Sequence, residues 1–168
     1  MKFFNKRSQS EVISTILLVL IAIVAITTVS MFIINFVNSQ IDKSKCIELF
    51  NPPIIEIKNN PLYTCYDGTN GIMRVQVHFS ETKGLLEGFV ITIGGADSKS
   101  YKILNNVPSV TGVSMFSGGD IALPADNTEK TYKITSESLP ENLQISPILK
   151  GGKVCSSSDK VSPINLCK

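Results

Sequence analysis

From Val12 to Val37 the chain carries no charged residue, and this run of 26 residues constrains everything that follows it. At about 1.5 Å per residue, a helix of that length reaches roughly 39 Å and exceeds the ~30 Å hydrocarbon core of a bilayer. Fifteen of the 26 residues are Ile, Val or Thr. Such β-branched residues are poor helix formers in water. In lipid, an unpaired backbone group is so costly that a single segment has only the helix open to it. The hydrophobicity runs all the way round, which excludes an amphipathic helix lying on a surface.

Lys2, Lys6 and Arg7 precede the run with no acidic residue before Glu11, while Asp42, Lys43 and Lys45 nearly balance beyond it. The positive-inside bias puts the N-terminus in the cytoplasm and the residues after Lys45 outside. A secretory signal has an apolar core of about 7–15 residues and then a small-residue cleavage site. The core here is far longer, although Val37-Asn38-Ser39 offers a weak site at which the whole segment would be removed.

The order along the chain is a basic leader closing in Lys6-Arg7-Ser8, the polar triplet Gln9-Ser10-Glu11, and an apolar helix that stays attached. Over this N-terminal stretch the chain resembles the class III signal peptides of archaeal type IV pilins and the related archaellins. The resemblance implies that a prepilin peptidase cuts between Ser8 and Gln9 and that Lys6, Arg7, Ser10 and Glu11 form the processing and assembly motif. It also implies that the mature helix, stored in the membrane, self-associates into a surface filament with the help of a pilus assembly machinery. Ser8 stands where Gly is commonest. Glu11 falls at the third mature position, where bacterial pilins carry their acidic residue at the fifth, and this points away from the bacterial type. No glycine lies between Gln9 and Ile41, which favours an adhesion-type pilin over an archaellin.

Glu11 has two readings. As a carboxylate at a helix start it is favoured by the macrodipole, by about 0.3–1 kcal/mol. After cleavage it would also offset the freed α-amino group of Gln9, a cation of reference pKa about 7.7–8.0, once helices bundle away from water. Ala22, Ala25 and Thr28 are small enough to let neighbouring helices approach closely.

The domain plan is therefore a leader over 1–8, a membrane or filament-core helix with its junction over 9–45, and an extracellular head over 46–168. The head is long enough for one domain with a single core. The helix is expected to end near Gln40, with Lys43 to Phe50 as a junction and Asn51-Pro52-Pro53 barring any continuation. Removing the three leader cations from the 16 Lys and Arg leaves the mature chain near balance with its 14 acidic residues. No basic patch for nucleic acid remains.

Beyond Ile54, short alternating runs are separated by Gly, Pro, Asn and Asp, the pattern of an all-β domain. In Ile72 to Ser80, Met73, Val75, Val77 and Phe79 share one face; in Leu86 to Ile93, Phe89, Ile91 and Ile93 do. The Glu81-Thr82-Lys83-Gly84 link predicts an antiparallel hairpin between these two. Further strands are expected at Ile54 to Ile57, Leu62 to Tyr66, Ser100 to Leu104, Lys130 to Thr135 and Leu143 to Leu149; residues 105–120 have no assignment. The fold class is α+β, a long N-terminal helix followed by an immunoglobulin-like β-sandwich, which the pilin resemblance also implies for the head.

Cys46, Cys65, Cys155 and Cys167 all lie beyond the membrane segment and read as two disulfides in an oxidising compartment. Zinc competes, but no Cys-x-x-Cys knuckle is present and the single His78 is distant in sequence. Three connectivities are possible. The local pairs Cys46–Cys65 and Cys155–Cys167, each closing a short loop, are favoured.

Catalytic chemistry is thinly supported. His78 is the one histidine and falls on the polar face of its strand, where an exposed structural role is expected. Gly94-Gly95 and Gly118-Gly119 lack the Lys and helix of a phosphate loop and read as turns. The expectation is a non-enzymatic protein with no cofactor. Two functions compete: a filament subunit, and a singly anchored surface protein whose sandwich binds a protein or a glycan.

Overall fold

The computed structural model describes residues 6–48, 52–82, 84–95, 98–105 and 107–168; within the helix, side chains are described for 13–38, 40 and 46. The chain forms two compact units, Met1–Ser44 and Lys45–Lys168.

Helix α1 spans Lys6–Glu48, longer than expected at both ends. At its start, Lys and Arg are good helix formers and Ser8 is no breaker, so the leader's last residues join the helix. At its end, nothing between Ile41 and Glu48 stops a helix; Gly is absent and the first prolines are Pro52 and Pro53. The junction expected over Lys43 to Phe50 is therefore helical as far as Glu48.

The second unit has nine strands among the described residues: β1 Ile55–Ile57, β2 Cys65–Asp67, β3 Ile72–Phe79, β4 Leu86–Gly94, β5 Lys99–Leu104, β6 Val113–Met115, β7 Thr128–Thr135, β8 Asn142–Leu149 and β9 Asp159–Val161. They build two antiparallel sheets. One runs β1-β3-β7-β6, with β2 beside β1 along the same edge of β3; the other runs β5-β4-β8-β9. Lettered in chain order, these are the A-B-E-D and C′-C-F-G sheets of an immunoglobulin-type sandwich, with β2 as an added piece.

This order corrects the expected hairpin. β3 and β4 do not pair; they lie in opposite sheets, each filling the core from its own side. Period-2 alternation tells which face of a strand is buried, not which sheet the strand joins. The link between them crosses the end of the sandwich, where Asp126 accepts hydrogen bonds from the backbone N–H and the hydroxyl of Thr82. Phe79 and Phe89, one from each strand, meet edge to face at 5.8 Å, and Phe89 meets Tyr132 in the same way at 5.5 Å.

The predicted inward faces are the core. Met73, Val75, Val77, Phe79, Phe89, Ile91 and Ile93 are all buried, joined by Ile103, Tyr132, Ile134, Leu143 and Ile145. Tyr132 is the largest wholly buried side chain; its hydroxyl donates to the Ala122 carbonyl at 2.8 Å, and burial pushes its pKa up. That bond meets the requirement that a buried hydroxyl have a partner.

Residues 105–120, unassigned in the sequence, contain the bridge Val110–Val113 and strand β6, which pairs with β7. Strand β9 was also not foreseen. Both are three residues long and held by distant groups. Beside β9, the Ile57 N–H donates to Asp159 Oδ2 at 2.8 Å, while the Ser158 hydroxyl lies within 3.1 Å of the Ile55 carbonyl and 3.2 Å of the Ile145 carbonyl. These bonds tie the two sheets together at one edge.

The disulfides are Cys46–Cys155 and Cys65–Cys167, with Cα separations of 5.6 and 4.9 Å. The favoured local pairs are thus overturned. Neighbours in sequence are not neighbours in this sandwich: the C-terminal segment returns alongside β2, where the Tyr66 N–H donates to Asn165 O and the Cys167 N–H to Tyr66 O. All four sulfurs are consumed, so no thiolate is left for a metal. Sequence separations of 109 and 102 make each a long-loop crosslink, worth about 4–5 kcal/mol taken alone in the chain-entropy model.

Two outcomes test the fold. A non-reducing peptide map should join Cys46 to Cys155 and Cys65 to Cys167, and a peptide joining Cys46 to Cys65 would refute the arrangement. Gly88→Ala should destabilise the head by about 1–3 kcal/mol in thermal or denaturant melts, because a Cβ there would run into the Ile103 carbonyl of the paired strand. An unchanged melt would contradict the β4–β5 register.

Candidate functional site: the apolar helix and its attachment

The feature most demanding of a function is the apolar part of α1, Ile13–Asn38, which is long and apolar enough to cross a membrane. Its large apolar side chains are exposed throughout, from Val37 at 45% to Phe32 at 74%, and no part of the segment is buried within the chain. The exposed residues include Ile16, Leu17, Leu18 and Val19 in succession, which covers every direction around a helix of 3.6 residues per turn.

Three hydroxyls within the run turn inward. Thr27 donates to the Val24 carbonyl at 2.9 Å, Ser30 to the Ile26 carbonyl at 2.8 Å, and Thr28 lies within 3.0 Å of the Val24 and Ala25 carbonyls. These three hydroxyls are satisfied by their own helix, which leaves the surface around them apolar. A helix finished in this way suits lipid or the side of another helix, and not water.

Lys6, Arg7, Ser8, Gln9, Ser10 and Glu11 lie on the backbone of the first turns of α1, and their side chains fall outside the described residues, as does the leader before Lys6. Ala22, Ala25 and Thr28 lie in the exposed apolar stretch.

At the other end, Cys46 in the last turn of α1 is bonded to Cys155 and packs with Leu149, Ile54 and Leu86. The helix therefore enters the head unit through a crosslink as well as through the backbone. Structural disulfides are commonest in oxidising settings outside the cytosol.

His78 departs from the expected exposure. Its side chain is about one-fifth exposed, on the outer face of the five-stranded sheet, where Glu56 and Glu129 are its register neighbours. Nδ1 lies 3.5 Å from Glu129 Oε1 and makes no hydrogen bond. Among the described residues, no cluster of His, Cys, Asp and Glu is arranged to hold a metal ion. The glycine pairs fall at turns: Gly94 closes β4 ahead of β5, and Gly118 and Gly119 take positive φ after β6.

Sequence reasoning missed one group, the ring of Phe116 between the cations of Arg74 and Lys133. Its three residues lie on three different strands or their ends, and no local pattern joins them.

Comparison with protein-family models, curated proteins and solved structures found no match.

Proposed function

We propose that this chain is a structural subunit of an archaeal type IV pilus-like surface filament, processed by a prepilin peptidase and assembled through its N-terminal helix. The observation that carries the proposal is a helix bare and apolar on every side, joined covalently to a β-sandwich with a complete core of its own. A helix that used one face to dimerise would leave the others uncovered. Lipid covers all of them, and so does a bundle of copies in which each helix is ringed by others.

Moving from lipid into such a bundle exchanges one apolar surrounding for another. Hydrophobic burial therefore contributes little, and packing of side chains must supply the gain. The small residues Ala22, Ala25 and Thr28 permit that close approach. A transfer with so little net drive calls for assembly machinery in the membrane.

Leader processing separates this reading from that of a simple anchor, because a mere anchor has no need to lose Met1 to Ser8. Cleavage would leave Gln9 with a free ammonium two residues before Glu11, so the mature terminus would carry both charges at the start of a helix with no further charge before Asp42.

Intact-mass analysis and N-terminal sequencing of membrane-derived protein should place the mature start at Gln9. An intact Met1, or a start at Gln40, would sink the reading. Ser8→Trp should leave uncut protein in the membrane. Glu11→Ala should reduce filament growth while the head melts as in the wild type, since a carboxylate near a helix start is worth only about 0.3–1 kcal/mol to local stability. If the uncut Ser8 variant still made normal filaments, the chain would instead be a singly anchored binding protein.

A further inference from the structure

The outer faces of the two sheets differ in kind. On the four-stranded sheet, Val90, Thr92, Lys102, Gln144, Ser146 and Lys160 share the outer face, with no aromatic among them. On the five-stranded sheet, Phe116 follows β6 with its side chain 42% exposed. Arg74 Cζ lies 5.2 Å and Lys133 Nζ 5.4 Å from its ring centroid.

Arg74 and Lys133 face each other directly in the β3–β7 register. Like charges in that position repel, so the pair is costly unless something negative lies between or above it. The Phe116 π face offsets part of that repulsion. The nearest carboxylate does little more. Asp67 is 3.8 Å from Arg74, and its pKa is held down first by the Asn70 side chain, which it accepts at 2.8 Å. Of the other carboxylates of this face, Glu56 is paired with Lys58 at 2.9 Å, while Glu129 lies 3.5 Å from His78 Nδ1 without a hydrogen bond. Among the described residues, Lys133 has the ring and no carboxylate.

We infer that this face binds a carboxylated sugar chain, with a pyranose ring resting on Phe116 and its carboxylate held between Arg74 and Lys133. The C–H face of a pyranose presents partial positive charge to the negative π face of an aromatic ring. Stacked at the ~3.5–4.0 Å of van der Waals contact, such a ring brings the carboxylate at its rim to the level of the two flanking cations. Arg and Lys donate charge-assisted hydrogen bonds to that group. Beside Phe116 a cleft of about 300 Å³, lined in part by Ser117, Asp120, Glu129, Lys130 and Thr131, offers donors and acceptors for the hydroxyls of the next sugar. That volume is at the lower end of small-ligand sites. The inference rests on the head alone and does not depend on the filament reading.

The full chain in neutral detergent micelles, titrated calorimetrically with oligogalacturonate at low salt, should bind it and should bind maltooligosaccharide of equal length at least about tenfold more weakly, the loss expected for one charge-assisted hydrogen bond. Binding should fall as salt screens the exposed cations. Phe116→Ala and Lys133→Gln should each weaken it at least about tenfold, on the same scale. Lys102→Gln, on β5 of the other sheet, should change nothing. Should Phe116→Ala prove misfolded by its melting curve, Lys133→Gln decides alone. Absence of binding at low salt would overturn the inference. So would equal loss in the Lys102 variant, which would mean diffuse electrostatics. A poly-glutamate peptide binding as tightly and indifferent to Phe116→Ala would assign the face to acidic peptides and overturn the sugar assignment.

Discussion

A helix that its own chain leaves bare on every side is the constraint from which the rest of this structure follows. Because Ile13–Asn38 lends no side chain to the second unit's core, the sandwich has to be complete without it. Its core is accordingly closed by residues of both sheets, from Ile55 on the first strand to Ile164 near the C-terminus. Two long-range disulfides remove conformational freedom from the unfolded chain, which matters most for a small domain with limited apolar surface to bury.

The head's stability is concentrated where strands from opposite sheets meet. Phe79, Phe89 and Tyr132 form a chain of edge-to-face rings linking β3, β4 and β7 across the core. Pairs of this kind add about 0.5–1.5 kcal/mol beyond the area they bury. Around this centre the short strands are held by specific polar bonds: Asp159 to the β1 backbone, Ser158 to both sheets, and Asp126 to the crossing link. Removing such a side chain leaves the group it bonded without that partner, so these short strands depend on single side chains.

How much of this was legible depended on whether the signal was local. The alternation of Met73, Val75, Val77 and Phe79 correctly marked the buried face of β3, because period 2 is a property of the strand itself. The pairing of β3 was not legible in the same way. A short polar link such as 81–84 serves a hairpin and a sheet-to-sheet crossing equally, and only the completed core decides between them. The end of α1 at Glu48 could have been read, since no residue after Gln40 breaks a helix until Asn51-Pro52-Pro53; the polar side chains there marked a change of surroundings and not of backbone. Strands β6 and β9 were invisible because Val113–Met115 and Asp159–Val161 carry too few residues for a period. The disulfides failed for the same reason as the hairpin: proximity along the chain was used in place of proximity in the sandwich. The bare helix was the most legible element of all, and the Phe116 group the least, since β3 and β7 supply the cations that flank its ring.

The Cys46–Cys155 crosslink takes on particular weight if the chain works in a filament. Along the backbone, tension between a helix embedded in a core and a head held outside passes through the chain after Glu48. The backbone alone would deliver it to β1, a three-residue edge strand paired only with β3 among the strands of its sheet. Pulled from one end, an edge strand gives way one bond at a time, and few bonds resist. The disulfide offers a second path, from the last turn of α1 directly into the segment just after β8. That strand is eight residues long and paired on both sides, to β4 and β9. A load entering there is shared across an interior ladder before any edge strand feels it. The crosslink that frustrates a local reading of the cysteines is thus the one that lets a small sandwich hang from a helix.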